Sequence, residues 1–93
     1  AGPAGAVCAR EMARGGARVL LLDRAHFPRP KVCGCCVNGS AIGTLARLGL
    51  SDVLAHAVPL REVALARGSR GARVPLPAGV ALSREAFDTA LVE

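Results

Sequence analysis

Two glycines, Gly2 and Gly5, open the chain in AGPAGAVCAR, and Asp23 closes the apolar run RVLLLD about 20 residues further on. Residues of these types in this order can hold a diphosphate and the sugar attached to it. Gly2 has no Cβ, so phosphate oxygens can approach its backbone, and Gly5 lets a helix starting there pack closely on a strand. The unpaired amides at the start of that helix, at the positive end of its dipole, supply hydrogen bonds to an anion. Asp23 can accept bonds from ribose hydroxyls at the spacing such a unit requires. Two glycines alone are more often a simple turn. Helix, apolar run and acid in register favour the dinucleotide site.

These residues need elements to position them. From Pro3 to Arg14 the spacing predicts a helix, with Gly5, Cys8, Ala9 and Met12 on its buried stripe and Gly15 and Gly16 ending it. Val19 to Leu22 is unbroken and apolar, which predicts a strand covered on both faces, as in a parallel sheet. Residues 25–39 carry two prolines and no period and read as a loop. Ser40 is placed to cap a second helix with Ala41, Ile42, Leu45 and Leu48 on one face, stopped by Gly49, and Ser51 caps one short turn. Residues 60–66 and 72–76 predict a hairpin around RGSRG. A short strand then leads to a terminal helix capped by Ser83, with Ala86, Phe87, Ala90 and Leu91 buried. No repeat, low-complexity tract or internal domain boundary is visible.

Ninety-three residues make one small domain, 1–93, and a net charge of +5 arises from twelve basic residues, of which one is Lys, against seven acids. The charges are scattered singly, and the chain holds two Phe and no Trp or Tyr. A nucleic-acid groove would cluster its cations and interleave stacking rings, so nucleic acid is not the expected partner. No apolar run is long enough to span a membrane, and no charged start with a hydrophobic core marks a signal peptide. The expected compartment is the reducing cytoplasm, where Cys8, Cys33, Cys35 and Cys36 would be thiols.

Cys33 and Cys36, in KVCGCCVNG, have the spacing of a zinc knuckle or a redox pair. A closed zinc site needs four ligands, and Cys8, His26 and His56 form no second pair, so no metal is expected. Redox CxxC pairs open a helix, whereas Gly34 sits in a loop flanked by prolines. Cys8, Cys35 and Cys36 read as buried inert thiols, and His26 and His56 as surface residues.

Four stretches, AGPAGAVCARE, RVLLLDR, FPRPKVCG and LSREAFDTALVE, together resemble the geranylgeranyl reductase family of FAD-dependent oxidoreductases, within the fold of p-hydroxybenzoate hydroxylase. The first two are shared by many flavin and nicotinamide enzymes; FPRPKVCG is the more specific, being similar to a Lys-x-Cys-Gly segment beside the flavin. The resemblance implies an α/β fold: a partial Rossmann-like FAD-binding domain of the three-layer type, lacking its first strand and cut at both ends, with a β-hairpin from the adjoining substrate-domain sheet. It implies that Gly2, Pro3, Ala4 and Gly5 bind the diphosphate, Asp23 the adenosine ribose with Arg24 beside the adenine end, that Lys31, Cys33 and Gly34 line the flavin side, and that Arg84, opening the last helix, is the arginine that reaches the cofactor. An ordinary ion pair of Arg84 with Asp88, one turn on, is the plain alternative. For Lys31 it is a solvated loop charge. Cys35 and Cys36 stand where the family continues with glycines, and Asp23 where Glu is common.

The activity so implied is reduction of a C=C bond in an isoprenoid-like small molecule, or flavin monooxygenation, with FAD as cofactor and NAD(P)H as the candidate electron donor. Loose contact with a membrane carrying a lipid substrate is compatible with it. No residue is placed as catalytic acid, base or nucleophile. A nicotinamide dehydrogenase would share Gly2, Gly5 and Asp23 but return at once to a third parallel strand; a metal or redox module would rest on Cys33 and Cys36. Without a central strand, worth on the order of 10 kcal/mol of apolar burial against typical domain stabilities of about 5–15 kcal/mol, the isolated chain should be weakly stable and bind cofactor weakly.

Overall fold

Pro3 has no amide hydrogen to lose and a backbone angle already set for a helix, and it starts helix α1, Pro3–Arg14, in the computed structural model, which describes residues 1–93. Gly15 caps the other end, and Gly16 follows in the left-handed region at φ 90°, where glycine carries no Cβ penalty. The remaining elements are strand β1, Cys36–Asn38; helix α2, Gly39–Arg47; a 3-10 turn, Ser51–Leu54; strands β2, Val58–Pro59, β3, Glu62–Arg67, β4, Arg70–Pro75, and β5, Gly79–Ala81; and helix α3, Arg84–Val92. The fold is mixed α/β.

The chain divides into two compact units where the sequence shows no boundary: residues 1–33 with 83–93, and residues 34–82. The breaks fall at Cys33–Gly34 and Leu82–Ser83, where composition does not change. In the first unit α1 packs on α3. Its most buried residues are Ala6 and Asp88. The stripe expected on α1 is therefore rotated: Gly5, Cys8 and Met12 are exposed and Ala6 faces inward. On α3 the deepest side chain is the charged Asp88, while Phe87, Ala90 and Leu91 are half-buried and Ala86 is exposed.

The strand expected over Val19–Leu22 does not form a ladder. The regular elements of its unit are the helices α1 and α3, which offer no strand edge to pair with. The exposures, 38% for Val19, 80% for Leu20, 39% for Leu21 and 73% for Leu22, keep the two-residue alternation of an extended chain.

In the second unit, β1, β5 and β2 form an antiparallel sheet in that order, with Val37 opposite Val80 and Val58 opposite Ala81. The Leu82 amide extends it by donating to the Cys35 carbonyl at 2.8 Å. β3 and β4 form the expected hairpin with a tighter turn, closed at Gly68 with φ 58° and paired from Glu62–Pro75 to Arg67–Arg70. Leu45 of α2 and Leu82 are buried. Asn38, not Ser40, caps α2, its side chain accepting from the Ala41 amide at 2.9 Å, because the helix begins two residues earlier than the apolar pattern indicates. The loop reading of residues 25–39 holds as far as Cys35; the strand Cys36–Asn38 within it was hidden by its shortness. All strand pairings are antiparallel.

Candidate functional site

Gly2 is the N-cap of α1, in extended backbone at φ −134° and ψ −179°, and no side chain caps this helix. The first intrahelical bond runs from Ala6 N–H to Gly2 O at 2.8 Å. Ala4 and Gly5 therefore present amides with no intrahelical acceptor, at the positive end of the helix. The other two helices differ, since Asn38 and Ser83 satisfy the starts of α2 and α3. No neighbouring atom lies within 4 Å of where a Gly5 Cβ would stand, so close helix packing at this glycine is not what the unit itself requires.

Beside Gly2, the first unit encloses a concavity of about 720 Å³ walled by Gly2, Leu22, Asp23, Arg24, Lys31 and Arg84, among others. This volume is of the size that holds small-molecule ligands. Four of the residues expected at a cofactor besides Gly2 thus meet on one wall. Pro3, Ala4 and Gly5 form the adjoining first turn of α1. Cys33 touches the site through a hydrogen bond with Arg84. Gly34 opens the other compact unit.

Asp23 is the one acid on this wall. Its Oδ2 accepts from the α-amino group of Ala1 at 2.5 Å and lies 3.2 Å from Arg29 Nη2, while Oδ1 accepts from the Ala25 amide at 2.8 Å. The Ala1 ammonium first, then the Ala25 amide and Arg29, hold its carboxyl at about 2 against an ordinary 3.8. Asp23 is thus an anion with acceptor capacity left on Oδ1, as a ribose-binding carboxylate must be.

Arg84 forms the pair with Asp88 that its helical spacing predicts. Its Nε donates to Oδ1 at 2.7 Å and its Nη2 to Oδ2 at 2.9 Å. These bonds, and after them the one with Cys33, hold the guanidinium further toward its charged form. Asp88 takes Nε and Nη2, and Cys33 is the second partner of the guanidinium.

Arg29 was invisible as a site residue in the sequence. It lies between Pro28 and Pro30, after a cis Phe27–Pro28 bond, with its guanidinium 5.0 Å from the Phe27 ring centre. Its Nη2 hydrogen-bonds the Ala1 carbonyl and reaches both Asp23 and Asp88. Partners 6 and 59 residues apart leave no periodic signal; only the proline-locked loop hinted at a fixed role.

Cys8, Cys33 and Cys36 are exposed and Cys35 is half-buried, which corrects the expectation of buried thiols at 8, 35 and 36: α1 turns Cys8 outward, and the short strand β1 leaves Cys36 at its exposed end. Cys35 occupies the left-handed region at φ 56°. No group of three or more His, Cys, Asp or Glu side chains gathers where it could hold a metal ion. His26 and His56 are exposed. No helix is long and apolar enough to cross a membrane.

No family model and no solved structure matches the chain. Among curated proteins it is 39% identical over 77 residues to a menaquinone reductase of Mycolicibacterium smegmatis, a stretch covering 83% of this chain and 18% of that protein. It is 47% identical over 55 residues to a menaquinone reductase of Mycobacterium tuberculosis, covering 59% and 14%. It is also 42% identical over 54 residues, 58% of the chain and 11% of the relative, to conditioned medium factor receptor 1 of Dictyostelium discoideum. The chain spans less than a fifth of the length of these relatives.

Proposed function

We propose that this chain is the part of a flavin-dependent oxidoreductase that holds the diphosphate and adenosine ribose of FAD, within a Rossmann-like domain of the geranylgeranyl reductase type. One observation carries the reading: the uncapped start of α1, with the Ala4 and Gly5 amides unspent, stands next to an ionised Asp23 at the edge of a ligand-sized concavity. An anion-binding end beside a hydroxyl acceptor matches the two chemistries of a nucleoside diphosphate. The next strand after Asp23 begins only at Cys36 and is antiparallel, which disfavours a nicotinamide dehydrogenase.

Gly2, Pro3, Ala4 and Gly5 would hold the diphosphate and Asp23 the ribose, with Arg24 toward the adenine. Lys31, Cys33 and Gly34 would line the flavin side, and Arg84, seated against Gly2, would reach the cofactor at the diphosphate. When bound, the flavin supplies hydride chemistry, and this chain supplies position and charge. The similarity to proteins named menaquinone reductase supports an isoprenoid lipid as substrate class, and the family resemblance supports reduction at one of its C=C bonds, with NAD(P)H as electron donor.

Titration of the purified protein with FAD, followed by flavin fluorescence, tests the reading. Saturable binding at one flavin per chain is expected, and Asp23→Ala should weaken it by about tenfold or more, the loss of a charge-assisted bond. Binding of zinc with no flavin would refute it.

A further inference from the structure

We propose that Asp88 is a positioning residue for this site: its buried carboxylate grips Arg84 by two bonds and shares Arg29 with Asp23, fixing the Arg84 guanidinium beside Gly2 for the phosphates of a nucleoside diphosphate. The inference rests on the reading above and extends it to a residue that faces no ligand.

Asp88 is 1% exposed, the most buried side chain in the molecule, yet it is charged and belongs to a helix in which no apolar residue is fully buried. A buried carboxylate is costly unless fully paired, and such a pair contributes little to stability compared with apolar packing. Its geometry is more informative than its energy. Both oxygens are used by Arg84, at 2.7 and 2.9 Å, and Oδ2 also lies 3.5 Å from Arg29 Nη2. The same Arg29 nitrogen is 3.2 Å from Asp23 Oδ2. Asp23, Arg29, Asp88 and Arg84 thus alternate in charge along one chain of contacts that begins at the ribose acid and ends at the glycine turn. Arg84 Nη2 would be 3.9 Å from a Cβ on Gly2, so the guanidinium is seated against the turn. A planar fork held at Nε and Nη2, and bonded to Cys33 as well, cannot rotate and is fixed in place in advance of any ligand.

The test is a double-mutant cycle on the purified protein, with ADP and adenosine as the titrated ligands. Asp88→Asn is expected to weaken ADP by about tenfold and leave adenosine, which has no phosphate, unchanged. In an Arg84→Met background the same substitution should cost nothing further. Equal losses for both ligands, additive losses, or no loss would overturn the positioning role while the nucleotide reading stands. Failure of the unsubstituted protein to bind ADP or FAD would overturn both. A measurement without substitution accompanies these: the Arg84 Nε–H proton should exchange slowly with water before and after ADP saturates. Fast exchange would show that Asp88 does not hold the fork, and the proposal would fall.

Discussion

At the scale of single residues, Asp23 is the clearest electrostatic feature, and its charge has a measurable consequence. Its folded pKa, about 2, lies below the ordinary 3.8. A depressed carboxylate stabilises the fold fully above about pH 4, and that contribution disappears as pH falls through about 2. Asp23→Asn should therefore flatten the dependence of stability on pH in that window, measured by denaturant unfolding. Cys35 offers a second test. A side chain in the left-handed region costs roughly 1 kcal/mol that glycine does not incur, so Cys35→Gly should raise stability by up to ~1 kcal/mol in thermal melts. The Arg84–Asp88 pair was legible in the sequence because spacing along one helical turn announces it. Arg29 was not, since its partners are joined to it only by folding.

At the scale of elements, the three helix starts are solved differently. Ser83 accepts from the Ala86 amide at 3.1 Å, and Ser83→Ala should destabilise the protein by about 1 kcal/mol, loosening the helix that carries Arg84 and Asp88. At Gly2 the reverse holds. Its backbone angles suit any residue, and a Cβ there would make an ordinary contact with Arg84, so Gly2→Ser should fold and cap α1. The melting temperature should rise slightly while FAD affinity falls, because the serine oxygen takes the amide that an anion would use. A rise in both would contradict the anion-binding role of this turn. The helix bounds Pro3–Arg14 and the Ser83 cap were readable because proline, glycine and serine act locally. Which face of α1 is buried was not, because small residues are found on every side of this helix and only the packing of α3 selects Ala6.

For the whole molecule, Ala6, Leu45 and Leu82 are the buried apolar residues, and Leu20, Leu22, Val32 and Leu65 are well exposed. An exposed side chain contributes little, so Leu20→Ser with Leu22→Ser should change the stability of this chain by under ~0.5 kcal/mol. The apolar run reads as a covered strand because hydrophobicity reports what a segment can bury, whereas a ladder also needs a partner with its edge available. The division at Cys33–Gly34 was hidden for a related reason, as contacts between residues 1–33 and 83–93 are made across the intervening chain, residues 34–82. The account as a whole depends on the turn at Gly2 being an anion site. Backbone amide resonances of Ala4 and Gly5, followed during an ADP titration, test this most directly. They should shift together and saturate with the ribose-dependent response of the Asp23 carboxyl; ADP binding that leaves both amides unmoved would contradict it.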